Sequence, residues 1–503
     1  MPAICMRPRA RSLLYRSILG FWYGSLILHP PSARIRPRVG SGAPRARSGR
    51  PANRALIWFL AAAIWVPVML IVVDFQRLGA PLDAPVTVAD LAPNEGFRIF
   101  KIALILIGTC VILSRVSEAR ALLRQVNRFF LAFLVLAIAS VLWSADRDAT
   151  LARYVSFVAT ILICFAFCLA GWHRKRLQNV LRPVLTLLMA GSLIYIIMSP
   201  DLAIDFDKAG YHGLASQKNP FGELCAFGTL LWMHAWISGE AKASKAIAGA
   251  ALGWTCLWLS KSATSLLATA FASWLMFMML RTSPSLRRYT PYLITLFAGL
   301  VVAYALALLQ LVPGLATVLL GPITAITGKD MTFSNRAMIW DIVKEHAQLH
   351  PIFGTGYGAY WTGAVPSSPS YVFLSRMYFW PSEGHNGYLD VFNDLGFVGL
   401  ICLLGYLTIY VRQSLQLFKT DRPEAALYLA IFFQQAMTNL SESCWFSPMG
   451  ILPVFVTTLA TFTLAAALLD QQRSRALQGG VKPQAKSSAA PQMALRNLRG
   501  ARR

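Results

Sequence analysis

Twelve stretches of this chain stay apolar for close to the length a bilayer core demands, which is about 20 residues per helix. They run Ala55–Val73, Phe97–Leu113, Phe129–Trp143, Tyr154–Trp172, Val180–Met198, Phe221–Ile237, Ala246–Leu259, Ala263–Leu280, Pro291–Leu311, Gly387–Val411, Ala425–Thr438 and Met449–Leu469. Such spans must be helical, because lipid offers no partner to an exposed backbone N–H or C=O. Hydrophobic residues make up 56% of the 503, charged residues only 14%, and the mean hydropathy is +0.52. Too few polar side chains remain to coat several soluble globules, and this composition excludes disorder, collagen and a disulfide scaffold. The expected class is an all-α polytopic membrane protein with about 12 transmembrane helices, the short seventh and eighth stretches also fitting one helical hairpin.

Charge orients the spans. With the N-terminus inside and sides alternating, the inner segments hold 35 of the 47 Lys and Arg but only 5 of the 22 acids. The net charge of +25 then separates into +30 inside and −5 outside. Basic residues belong in cytoplasmic loops, so both termini are expected inside. The cations flank apolar spans and form no folded basic face, which argues against nucleic acid as a partner. Residues 1–54 read as a basic, disordered cytoplasmic extension, or as a start codon placed too early. Residues 55–311 hold spans one to nine, 312–386 a large outer loop, 387–469 the last three spans, and 470–503 a basic tail suited to anionic lipid. Six of the eight cysteines fall within spans (Cys110, Cys164, Cys168, Cys225, Cys256 and Cys402) and read as small buried hydrophobes, not as a disulfide or metal framework.

The outer loop between spans nine and ten is the exception among short connections, and loops of that size usually carry function. A helix is expected over Ser334–Leu349, with Ser334 as N-cap and Pro351 and Gly354 as terminators. Arg336 and Trp340 share one face of it. Nine aromatics follow, from Phe353 to Trp380, as sugar-stacking faces or interfacial belt residues. At the mouth of the tenth span, His385 and Asn386 lead into a polar stripe of Asn386, Asp390, Asn393 and Asp394. Carboxylates within a span are costly and mark a site by default, interhelical hydrogen bonding being the structural alternative.

Three further cations stand where helices begin at the outer face: Arg153, Lys218 (beside Asn219) and Lys261. Helix N-termini with Lys or Arg suit phosphate, so with Arg336 they suggest an outward-facing diphosphate pocket. Singly, each would be a snorkelling interface residue.

The stretch TFSNRAMIWDIVKEHAQLHPIFGTGYGAYW, followed by EGHNGYLDVFNDLGFVGL, resembles the signature region of the bacterial O-antigen ligase and Wzy-type polymerase superfamily, nearest its exopolysaccharide-polymerase (ExoQ-like) branch. LWSADRDATLARY (Leu142–Tyr154), GLASQKNPFG (Gly213–Gly222) and LSKSATSLLA (Leu259–Ala268) agree in the family's order. The resemblance implies a C-type membrane glycosyltransferase in the bacterial inner membrane, with the large loop periplasmic. Such an enzyme takes a glycan from undecaprenyl diphosphate and joins it to a hydroxyl of an acceptor glycan, with no cofactor, nucleotide sugar or metal. It implies that Arg336 binds the diphosphate and that His385 deprotonates or positions the acceptor hydroxyl. Asp390 would orient or replace that base. Arg153, Lys218, Asn219, Lys261, Trp340 and Asn386 are the expected substrate-binding set. Lys261 stands where the ligases often have arginine, and Gln217 departs from a frequent histidine, so no role is carried onto it. By the same resemblance a chain-length co-polymerase is an expected partner, beside the lipid bilayer.

Other motifs weigh less. Gly354–Gly358 (GTGYG) is similar to a potassium-channel filter, which twelve spans argue against. His346 and His350 have metal-ligand spacing but read as surface histidines, and Asp201, Asp205 and Asp207 as a solvated acidic loop. The non-enzymatic alternative is a transporter or flippase, against which stands the clustering of polar groups at the outer end. Within the enzyme class, a ligase acting on a lipid A core remains the alternative to a polymerase.

Overall fold

The computed structural model describes residues 54–73, 95–170, 176–205, 210–283, 288–308, 336–363, 365–448 and 451–480, with isolated positions 285, 314, 315 and 318. The N-terminal extension, the cap expected at Ser334, Asp207 and the tail beyond 480 lie outside the described residues. The described chain is helical, with one isolated antiparallel bridge, Ile204 to Tyr211, and no strand.

Each of the twelve apolar stretches falls on a helix. These are α1 (Arg54–Val72), α2 (Glu95–Ser114), α4 (Arg128–Ala139), α5 (Arg147–Leu169), α6 (Arg176–Met198), α7 (Lys218–Ser238), α8 (Ala243–Ser260), α9 (Ala263–Arg281), α10 (Thr290–Leu308), α12 (Gly387–Phe418), α13 (Arg422–Thr438) and α14 (Ile451–Gly480). Between them stand α3 (Val116–Leu123) and α11 (Arg336–Ala347). Five helices, α5, α6, α9, α12 and α14, are long and apolar enough to cross a membrane, and α2 with α3 makes a sixth if that pair, bent by 99°, is one span. Large apolar side chains face outward on them, among them Ile197 at 71% exposure and Ile401 at 62%, as lipid contact requires. The chain is a multi-pass membrane protein.

Local chemistry sets the helix ends. Asn127, Asp146 and Asp421 cap α4, α5 and α13 by accepting from Phe129, Ala149 and Glu424 N–H groups. Left-handed Gly239 and Lys261 close α7 and α8. Helix α14 is the centre of the bundle: 89% of its apolar window is buried, against 44% for α5, α6 and α9. It packs on α5 and α12, while α7 packs on α8 and α9, and α9 on α13.

The loop helix α11 lies on α12, and the junction rests on a break in α12 at Gly396 (φ 64°, ψ −161°). There the N–H groups of Phe397 and Val398 turn to the carbonyls of Pro351 and Ile352, at 2.8 and 3.2 Å. The polar stripe is spent on the same junction. Thr355 and Gly356 N–H donate to the Asn393 and Asp394 carbonyls, Gly358 N–H donates to Asp394 Oδ2, and His346 Nδ1 meets Asn393 Oδ1 at 2.9 Å. Asn393 thus bonds across to helix α11, and Asp394 to the turn that follows it. His346 is no surface histidine: it is half-buried between Asn393 and Tyr360, and burial lowers its pKa. The GTGYG turn cannot serve as an ion filter, since its Thr355 and Gly358 carbonyls accept from Ala145 N–H and from Arg153. Of the loop aromatics, Tyr357, Tyr360, Trp361 and Phe373 are core, while Phe353, Tyr378 and Phe379 stay exposed.

Candidate functional site

Three donors far apart in sequence meet on one carboxylate. Arg336, at the first turn of α11, places its guanidinium 2.9 Å from Glu442 Oε1, and Asn219, at the start of α7, donates to the same oxygen at 2.9 Å. His385 Nδ1 stands 3.4 Å from Glu442 Oε2 and 3.1 Å from Glu383 Oε1. Glu442 lies in the connection between α13 and α14, folded around the N-terminus of α12. Gly387 N–H donates to the Asn439 and Glu442 carbonyls, Asn386 N–H to Ser443 Oγ, and Asn439 Oδ1 accepts from Cys444 and Trp445 N–H.

His385 sits in the left-handed region (φ 48°), a conformation that persists only where surroundings impose it. Those surroundings are the other expected residues. Trp340 Nε1 donates to the Gly384 carbonyl at 2.9 Å, and Asp390 Oδ2 accepts from Gly384 N–H at 3.0 Å while its Oδ1 accepts from Trp361. Asn386 caps α12 through Tyr388 and Leu389 N–H. Trp340, Asn386 and Asp390 therefore hold the Gly384–His385 turn in place, and Asp390 acts on His385 through the backbone.

Beside the cluster lies a cavity of about 390 Å³, lined among others by Asn219, Glu223, Glu383, His385, Glu442 and Ser443, with Val72 and Leu452 on its apolar side. Burial disfavours the charged imidazole of His385, but Glu383 and Glu442 outweigh it and push its pKa from 6.5 up to about 10. Burial also raises Glu383, against the pull of His385, whereas Glu442 is held below its ordinary value because His385 and Arg336 together overcome burial. The cluster thus sets the imidazolium of His385 and the guanidinium of Arg336 against the Glu442 carboxylate, with Glu383 at the same imidazole nitrogen. The His385 nitrogen and one oxygen of each glutamate lie within 4.8 Å of one another, the spacing of a three-ligand cation site.

The remaining expected cations stand elsewhere. Arg153 donates to the carbonyls of Gly358 and, at 2.7 Å, Trp361, and lines a separate cavity of about 20 Å³ together with Asp390. Lys261 is exposed, its ammonium 4.6 Å from the centre of the Trp258 ring, though its turn is tied to the Glu442 loop by Ser441 and Thr264. Lys218 is half-buried, and its N–H donates to Asp205, which is buried and so no solvated acid. Asp205 and Asp146 already occupy the N-termini of α7 and α5, which removes the free dipole ends expected there.

Sequence reasoning passed over Glu442, Glu383 and Glu223. Glu223 is a carboxylate inside an expected span, the same signal that singled out Asp390; Glu383 stands two residues before His385; Glu442 belongs to a polar run, Asn439–Ser443, between two spans.

Residues 248–404, from α8 to beyond the break in α12, match the O-antigen ligase family model. The "Exopolysaccharide production protein ExoQ" of Rhizobium meliloti (strain 1021) is 25% identical over 356 residues, 69% of this chain and 78% of the relative. Over these residues the chain is similar to the O-antigen ligase family, and over a longer stretch to an exopolysaccharide production protein. The family match holds Arg336, Trp340, His385 and Asp390, while Asn219 and Glu442 lie outside it.

Proposed function

We propose that this enzyme polymerises undecaprenyl-diphosphate-linked repeat units into exopolysaccharide or O-antigen at the periplasmic face of the bacterial inner membrane. The observation that carries this is the convergence of Arg336, Asn219 and His385 on Glu442 beside a cavity with one apolar wall. The twelve-span path, with both termini cytoplasmic, puts residues 219, 336, 385 and 442 on one outer side. Contacts at the other end agree with that alternation: Gln178 with Glu424, His234 with the Pro423 carbonyl, and Gln413 with the Gln125 carbonyl all join expected inner ends.

In this reading the donor's diphosphate takes over Arg336 from Glu442, so leaving-group charge grows against a fixed cation. The imidazolium form of His385 favours the positioning role over the basic one, since a protonated ring accepts no proton. Lys218 and Lys261, at the two flanking turns, are left as approach charges for the donor, and Arg153 as the anchor of the loop. The acceptor is the glycan of another lipid-linked unit, and a chain-length co-polymerase is the proposed partner. The relative's name favours exopolysaccharide, and the family description, O-antigen ligase, keeps ligation as the second reading, with a lipid A core as the acceptor in that case.

The test uses a deletion strain complemented with wild type, Arg336→Ala or His385→Ala, with lipid-linked glycans read by mass spectrometry. Both variants are expected to abolish polymer at normal membrane level, single units accumulating on lipid outside the inner membrane. Long lipid-linked chains that never reach lipid A would make the protein a ligase, and units trapped on the cytoplasmic side a flippase. Wild-type output from either variant would remove its assigned role.

A further inference from the structure

The ionisable groups that line the cavity divide into a closed set and one outlier. Glu442 spends Oε1 on Arg336 and Asn219 and Oε2 on His385, Glu383 faces His385, and His385 holds its proton between the two. Glu223, at the second turn of α7, is 7% exposed and lines the same cavity. Its Oε1 accepts from the Cys444 thiol at 2.9 Å, and among the described residues no basic side chain pairs with it. Its charged neighbours are the carboxylates Glu383 and Glu442. Burying a carboxyl without a cation is expensive, and a glutamine would accept the thiol equally well, so the hydrogen bond does not account for the acid.

We propose that Glu223 is the catalytic residue that takes the proton of the acceptor hydroxyl, an inference that rests on the glycosyl-transfer reading. His385 is already protonated, and two cations compete with a proton for the oxygens of Glu442, whereas none competes at Glu223. The step balances without a further reactant. The acceptor O–H gives its proton to the Glu223 carboxylate, and the acceptor oxygen bonds to the anomeric carbon. The bond from that carbon to the diphosphate oxygen breaks, its electron pair leaving on undecaprenyl diphosphate beside Arg336. Water in the cavity then removes the proton from Glu223.

The test uses the full-length protein in nanodiscs, with lipid-linked repeat units extracted from a strain lacking the gene. Glu223→Gln keeps shape and the thiol contact. Its kcat is expected to fall about 100-fold or more with KM little changed, and the acid limb of the kcat–pH profile to disappear. Glu223→Asp is expected to restore part of the turnover and the limb, with thermal midpoints like wild type in both. A Glu223→Gln enzyme of near wild-type kcat, or one slowed with its acid limb intact, would overturn the assignment and point to Glu383. Wild-type protein that joins no units would remove the glycosyl-transfer reading itself, so the two failures are distinct.

Discussion

Replacing Glu442 by Gln tests whether the site is an electrostatic cluster. The substitution keeps the volume and leaves Arg336 and His385 facing a neutral amide. Raising an imidazole from 6.5 to about 10 is worth ~5 kcal/mol in favour of its charged form. Shared evenly between two carboxylates, removal of one returns ~2 kcal/mol, and the His385 midpoint should fall by roughly 1–2 pH units. Breaking a fully buried pair costs ~3–5 kcal/mol. Here the loss should be nearer ~1–3 kcal/mol, because Arg336 keeps 23% of its side chain exposed. The sign fixes the pH window. His385 has a raised pKa, so its contribution is complete below 6.5 and is lost as pH rises through about 10. Glu442 has a lowered one, so its contribution is complete above 4.5 and is lost at more acid pH. The stability advantage of wild type over Glu442→Gln should therefore be greatest between pH 4.5 and 6.5 and shrink toward alkaline pH. Thermal unfolding in nanodiscs at pH 6 and 9.5, with ¹⁵N-histidine solid-state NMR assigned through His385→Gln, measures both effects. An unchanged imidazole midpoint, or an advantage that widens with pH, would refute the reasoning.

Two other substitutions probe the frame. Gly396→Ala should destabilise by several kcal/mol, roughly 1–3 from backbone strain with steric overlap added, because φ 64° with ψ −161° is glycine territory and a Cβ would collide with the Ile352 carbonyl. Detergent thermal melts check it, and a midpoint like wild type would mean that the break relaxes at little cost. Arg153→Met should speed amide hydrogen exchange across residues 355–361 while leaving KM for the lipid-linked donor unchanged. A raised KM with unchanged exchange would make Arg153 a donor ligand and not the loop anchor its bonds to Gly358 and Trp361 describe.

The helices were legible because hydrophobic length is a strong local signal: every apolar stretch from Ala55 to Leu469 falls on a helix. Arg336 and His385 were legible through the family's motif, and the structure brings them to one carboxylate. What stayed hidden was pairing. No local pattern says that Glu442 will reach Arg336 across 106 residues, or that Asp390 will hold the Gly384 N–H. The cations Arg153 and Lys261 illustrate the converse: α5 begins six residues before Arg153, at Arg147, and a cation's place near a helix start does not name its partner. The break at Gly396 escaped notice because an isolated glycine in an apolar run reads as ordinary helix.

That the site closes on Glu442 also sets an order of biosynthesis. As the chain enters the membrane from its N-terminus, Asn219, Arg336 and His385 arrive first and carry two positive charges with no common counter-charge. The acid that gathers them follows 57 residues after His385, at the turn between α13 and α14. Helix α14, the most enclosed of the spanning helices, comes last of all. A chain interrupted before that turn owns Asn219, Arg336 and His385 and still lacks the carboxylate on which they converge, so the cluster can close only after α13 is in place.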